Sequence, residues 1–109
     1  MTSNGTTQPT PVSTAVVVEI TSTGDLRLSA AVAAEFFPAD SLVAVLRGDE
    51  LWLMPLIGTE AGGLLLKQRN SAGDRSALIA EHLPLDIPAG ERQAVWDASS
   101  GALRVDVRS

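Results

Sequence analysis

Cysteine is absent from this chain of 109 residues, and histidine occurs once, as His82. Without cysteine the protein cannot form a disulfide, bind a metal through thiolates or use a cysteine nucleophile. One histidine alone does not make a zinc site. The sequence contains neither Gly-x-Ser-x-Gly nor Gly-Lys-Ser/Thr, so neither a serine hydrolase nor a phosphate-binding loop is predicted. We therefore expect no cofactor, no metal and no catalytic residue.

Long apolar runs and basic side chains are also scarce. No segment approaches the roughly 20 apolar residues of a membrane-spanning helix, and residues 1–14 lack the basic start and hydrophobic run of a signal peptide. The 13 acidic and 8 basic side chains give a formal net charge of −5. That charge repels nucleic acid and anionic membranes. These features predict a cytoplasmic protein that binds neither membrane nor DNA.

Apolar residues are present in sufficient number for a core, because 45% of the chain is hydrophobic. This length fits one small domain. Residues 1–14 are mostly Ser, Thr, Asn, Gln, Gly and Pro, and they are predicted to form a disordered polar tail. Residues 15–109 are predicted to form a single β-rich domain.

The order of apolar runs and turn residues predicts hairpins around one short helix. The β-branched run 15–20 reads as a strand. Ser29 is a plausible N-cap for a helix over about 29–37, which Pro38 ends. Residues 42–46 and 51–54 form a predicted hairpin, with Arg47 opposite Glu50.

Two further hairpins are predicted after residue 60. One joins residues 64–69 to 75–79, and the other joins 93–97 to 102–107. The strand 102–107 alternates apolar and polar residues, and we predict it to be a half-exposed edge strand. The expected fold is mainly β, a small β-barrel built of hairpins with one short helix.

Residues 24–55 carry a family resemblance. Gly24-Asp25-Leu26-Arg27-Leu28-Ser29 leads into the helix, which ends at Phe36-Phe37-Pro38, and the hairpin closes with Leu51-Trp52-Leu53-Met54-Pro55. This order resembles the swapped-hairpin β-barrel unit of the AbrB and MraZ families. The resemblance implies that barrel and a DNA-binding regulator, although Asp25 stands where these families commonly have a basic residue.

A weak internal repeat adds a second, degenerate unit of this kind over residues 73–107. The sequence of residues 34–40 matches that of residues 80–86 at four positions. MraZ-like proteins carry two such units. The chain is therefore predicted either to contain a two-unit repeat, 15–57 and 63–109, or to form a homodimer of intertwined chains.

The strands 42–46 and 51–54 are apolar on both sides, which predicts that both sides are covered. We expect these strands to lie in a core or in the seam of a homodimer. The residues predicted for this seam are Val43, Val45, Leu51, Trp52 and Leu53.

Four residues are predicted to bind a protein partner. Lys67, Arg69 and Arg75 form the basic cluster of the second hairpin, and Trp96 is an aromatic of the kind that anchors interfaces. The alternative reading is a solvated hairpin tip and a core tryptophan.

Together these observations favour a non-catalytic protein-interaction module, which acts as an accessory, assembly or regulatory subunit of another protein. One alternative is an AbrB/MraZ-like DNA-binding transcriptional regulator or antitoxin. Another is a small carboxylate-dependent enzyme. The expected partners are a protein and a second copy of the chain.

Overall fold

The computed structural model describes residues 14–56, 63–83 and 87–108, which form nine strands and one α-helix. The predicted tail lies outside these residues, apart from Thr14, which begins the first strand. Among the described residues, no helix is long and apolar enough to cross a membrane. The elements in chain order are β1 (Thr14–Ile20), β2 (Asp25–Leu28), α1 (Ala30–Phe36), β3 (Ser41–Arg47), β4 (Glu50–Pro55), β5 (Leu64–Leu65), β6 (Lys67–Gln68), β7 (Arg75–Leu78), a 3-10 turn (Ala80–His82), β8 (Gly90–Asp97) and β9 (Ala102–Asp106).

All nine strands belong to one antiparallel sheet, in the order β5-β3-β4-β9-β8-β1-β2-β7-β6. Its two edge strands, β5 and β6, are consecutive in the chain and separated only by Leu66. The closing segment, residues 64–68, therefore runs from one edge of the sheet to the other and nearly closes it into a barrel. The prediction of a mainly β barrel with one short helix is confirmed.

The closing segment corrects one predicted strand. Residues 64–69 were expected to form a single strand beside 75–79, but β5 pairs with β3 and only β6 pairs with β7. Leu66 separates the two short strands because its side chain is buried, with 3% exposed, and its amide donates to the Asp40 carbonyl at 2.8 Å. The chain therefore bends at Leu66, and residues 64–68 do not form one continuous strand.

The position of β9 corrects another prediction. The strand 102–107 was predicted to be a half-exposed edge, but β9 lies between β4 and β8 and pairs with both. The alternation is real, since Leu103 and Val105 are buried while Arg104 and Asp106 are partly exposed. In an antiparallel sheet, a central strand with one solvated side shows the same alternation as an edge strand.

The core lies on the inner side of the barrel, where each strand contributes alternate residues. The largest fully buried side chains are Phe37, Ile20, Leu26, Leu28, Leu42, Leu51, Leu53, Ile79, Leu103, Val18 and Val105. No polar or charged residue is buried among the described residues. The described part of the barrel is therefore packed with aliphatic and phenylalanine side chains, and no polar side chain is buried among them.

Helix α1 covers part of this core. Ser29 caps it as predicted, since its Oγ accepts from the Val32 amide at 3.2 Å. Val32, Ala33 and Phe36 are buried, but Ala31, Ala34 and Glu35 are exposed. The helix therefore packs on the barrel from one side only.

The strand pairings of the first half recur in the second half. β1 pairs with β2 as β6 pairs with β7, and the hairpin β3-β4 corresponds to β8-β9. β5 and β6 together correspond to β1, so the pairing of β1 with β8 has its counterpart in the pairing of β5 with β3. The two remaining pairings, β2 with β7 and β4 with β9, each join two corresponding strands. A single chain thus nearly closes a barrel in which the same pattern of strand pairing occurs twice. The proposed repeat of sequence stays a prediction, and residues 57, 84–86 and 109 of its two units lie outside the described residues.

Candidate functional site

A row of side chains crosses the outer side of five neighbouring strands. The register joins Val45 of β3 to Trp52, Trp52 to Arg104, Arg104 to Val95 and Val95 to Ala15 of β1. We call these five residues the outer row. Val95 is 40% exposed. Four of the five are apolar or aromatic, although this side of the sheet faces solvent.

The outer row divides the residues predicted for the seam into two groups. Leu51 and Leu53 are completely buried in the core of the chain itself. Val43, Val45 and Trp52 point to the outer side and are partly exposed. The sequence reading expected both sides of these strands to be covered, but the barrel covers only the inner side. Three of the five residues therefore remain available for contact with another molecule.

Trp52 is held in place by charged neighbours. Its Nε1 donates to Glu50 Oε1 at 3.1 Å, and the Arg47 and Arg104 guanidinium carbons lie 4.7 and 5.0 Å from its ring centre. Cations at such distances from an aromatic face are attracted to it. The indole is thus fixed before any partner arrives.

Arg104 links this tryptophan to two carboxylates. Its Nε donates to Glu50 Oε1 at 2.9 Å, and one terminal nitrogen lies 2.9 Å from the same oxygen. Its other terminal nitrogen donates to Asp97 Oδ2 at 3.1 Å. We call Arg47, Glu50, Trp52, Asp97 and Arg104 the Arg104 network. Arg47 and Glu50 stand opposite each other as predicted, but the carboxylate forms its ion pair with Arg104.

Hydrogen bonds shift the pKa values of two members of this network, Asp97 and Arg104, away from neutral pH. The Ser99 hydroxyl donates to Asp97 Oδ1 at 2.6 Å, and this bond is the main reason that the pKa of Asp97 falls to about 2. Further hydrogen bonds from Ser100, Arg104 and the Ser99 amide lower it in the same direction. Hydrogen bonds to Glu50 and Asp97 raise the pKa of Arg104. Such groups are poorly matched to proton transfer at neutral pH.

A shallow concavity of about 690 Å³ lies over the outer sides of β8 and β9. Glu50, Asp97, Asp106 and Arg104 contribute to its walls, together with Val95. The pKa of Asp106 is lowered to about 2, mainly because the Arg108 side chain donates hydrogen bonds to its carboxylate. In the described part of the chain, no three His, Cys, Asp or Glu residues are grouped to hold a metal ion. The concavity suits contact between surfaces better than acid–base or metal chemistry.

The basic cluster of the second hairpin is largely neutralised within the chain. Arg75 Nε donates to Asp40 Oδ1 at 3.0 Å, and Arg69 lies 4.0 Å from Asp74 Oδ2. Lys67 is exposed, and within the described residues it forms no ion pair. Two of the three predicted partner-binding cations are therefore committed to internal pairs.

Trp96, the fourth predicted partner-binding residue, lies elsewhere. Its ring stacks on Phe36 of α1 with 4.9 Å between centroids, and it is partly exposed. β1 and β2 separate its strand from β7, which carries Arg75. The structure thus does not gather the four predicted residues into one surface. The sequence analysis did not predict the Arg104 network, since Arg104 and Glu50 are 54 residues apart in the chain.

Comparison of the chain with protein-family models, with curated proteins and with solved structures finds no significant match. The likeness to the AbrB and MraZ families therefore stays a prediction based on the motifs of residues 24–55.

Proposed function

We propose that this protein is a non-catalytic protein-interaction module that acts as an accessory, assembly or regulatory subunit. Its contact surface is the outer row together with the Arg104 network. The observation that supports this proposal is Trp52, which stands between two arginines on the solvent side of the sheet with Val45 beside it. Tryptophan and arginine are the residues most often found to dominate the binding energy of interfaces.

The fixed position of Trp52 favours binding. Ordering a mobile side chain costs about 0.5–1.5 kcal/mol when an interface forms. Here the indole already has its hydrogen bond to Glu50 and its two arginine neighbours, so little of that cost remains. Paired charges around an apolar centre also resemble the polar rim of a protein–protein interface.

A second copy of the chain is the first partner that we propose. The sheet is nearly closed by one chain, so a homodimer would need no exchange of strands. It would form by packing the outer sides of two sheets against each other, as in a β-sandwich. Val43, Val45 and Trp52, three of the predicted seam residues, would then become buried.

Light scattering combined with size-exclusion chromatography tests the dimer. The native protein should be a dimer at micromolar concentration, and Val95→Glu should make it a monomer, because a charge would be buried in the interface without a partner. Leu65→Glu is the matched control, since Leu65 is 61% exposed and lies outside the outer row. It should leave the dimer intact, and circular dichroism should show that both variants are folded. A monomeric native protein would exclude the homodimer.

Binding to a different protein is tested separately, by pull-down from a lysate of the source organism. Proteins that the native chain and Leu65→Glu retain, and that Val95→Glu loses, would be partners of the outer row. If all three chains recover the same proteins, the outer row is not the contact surface and the proposed function fails.

The structure offers little to favour the alternative of a DNA-binding regulator or antitoxin. Among the described residues, five arginines form ion pairs with carboxylates of the chain itself: Arg27, Arg69, Arg75, Arg104 and Arg108. Counterion release requires cations that are free to meet phosphates. We therefore propose that the protein does not bind duplex DNA at physiological salt. An electrophoretic mobility shift at roughly micromolar protein would favour the regulator instead.

A further inference from the structure

A second concavity, of about 600 Å³, lies beside α1 and is separate from the outer row. Phe36 and Trp96 form its aromatic wall, and Pro38, Ala39, Pro55 and Leu56 complete an apolar lining. Among the described residues that line it, Glu35 is the single charged one. We call this concavity the aromatic groove. Its size and lining are typical of sites that bind small apolar groups.

The register of the sheet places the start of the described chain beside this groove. Thr14, the first described residue, is the partner of Trp96 in the antiparallel pair of β1 and β8. Thr14 therefore lies at the C-terminal end of β8, and residues 8–12 are joined to the fold two to six residues before it. β4 and β8 are both antiparallel to β9, so they run in the same direction on either side of it. Leu53 and Trp96 are both partners of Leu103, and Pro55, two residues after Leu53, therefore lies near the C-terminal end of β8.

The composition of that segment matches the groove. Residues 7–13 read Thr-Gln-Pro-Thr-Pro-Val-Ser, with two prolines and no charge. Proline-containing segments favour the extended polyproline II conformation and bind aromatic-lined grooves at low entropic cost. Because this segment carries no charge, it could occupy the groove while Glu35 stays exposed to solvent at the rim and needs no ion-pair partner.

We propose that the aromatic groove binds the proline-containing segment 8–12 of the same chain. A segment joined to its site by a short linker has an effective concentration in the millimolar range. An intrinsic affinity of that order therefore gives substantial occupancy within the chain, while the same segment added as a free peptide at micromolar concentration would scarcely bind. A proline-containing partner would have to displace this segment before it reached Trp96.

A spin label in the full-length protein tests the proposal, because the chain contains no cysteine and a single introduced cysteine can be labelled alone. Thr6→Cys places the label just before the segment. Nuclear magnetic resonance of the labelled protein should show at least half of the peak intensity lost at the Trp96 indole and at the Ala39 amide. Thr23→Cys is the matched control, since Thr23 follows the opposite end of β1. Its label should leave both peaks intact.

Substitution of the prolines gives the deciding comparison. Pro9→Ser with Pro11→Ser, in the Thr6→Cys protein, should restore the two peaks by weakening the contact. Unchanged broadening in that variant would overturn the proposal, because proximity would then not depend on proline. Absence of broadening in the native sequence would also overturn it. A final control mixes an isotope-enriched chain without a spin label with a spin-labelled chain. Broadening of the Trp96 and Ala39 peaks in that mixture would show that the segment of another copy fills the groove, which contradicts binding within the chain. None of these outcomes depends on the outer row.

Discussion

Leu66 connects the two edges of the sheet, and its replacement by alanine tests whether the barrel is held together there. Its side chain is 3% exposed, whereas that of the adjacent Leu65 is 61% exposed. A buried leucine replaced by alanine costs about 2–5 kcal/mol, because apolar contacts are lost and a cavity remains. The same replacement of an exposed leucine changes the free energy of unfolding by no more than about 0.5 kcal/mol. Since the free energy of unfolding of such a domain is about 5–15 kcal/mol, Leu66→Ala should remove a large share of it.

Urea denaturation followed by tryptophan fluorescence and circular dichroism measures this difference. With a denaturant slope of about 1–3 kcal/mol/M, a loss of about 3 kcal/mol lowers the midpoint by about 1–3 M. Leu65→Ala, the matched control in the same segment, should shift the midpoint far less. Equal shifts for the two variants would refute the reasoning, since Leu66 would then not be buried by closure of the barrel.

Three further substitutions test local features of the structure. Ser29→Ala should lower the free energy of unfolding by about 1 kcal/mol in the same denaturation assay, because the N-cap of α1 is lost. Arg75→Ala should lower the urea midpoint more than Lys67→Ala, since only Arg75 forms an ion pair among the described residues; equal effects would contradict this. Asp97, whose pKa is lowered from 3.8 to about 2, stabilises the fold above its unfolded pKa and loses that contribution as the pH falls through about 2. Asp97→Asn should therefore lower the thermal midpoint at neutral pH and reduce its decline between about pH 4 and 2, measured by scanning calorimetry.

The local elements of this fold were predictable because residues close in sequence determine them. Gly48 and Asp49 join the two strands of one hairpin, and Ser29 and Pro38 mark the ends of the helix. The order of the strands was less accessible. The alternation in residues 102–107 shows that one side faces solvent, but it carries no information about which strands lie on either side.

The candidate site was predictable only in part, for a related reason. The apolar strands 42–46 and 51–54 pointed to Val45 and Trp52, but not to which residues the core of the chain would cover. Arg104 and Glu50 are 54 residues apart, and Arg75 and Asp40 are 35 apart. Pairs at such separations depend on the register of the sheet, so local patterns could not distinguish the paired arginines from the exposed Lys67.

The central position of β9 has a consequence for the order in which this protein can fold during synthesis. β9 follows the other described strands in the chain, yet it joins β4 to β8. Until residues 102–106 have left the ribosome, β4 and β8 each lack a neighbour, and unpaired strands of this kind are prone to aggregation. Within the described sheet, the middle is therefore the part that is built last.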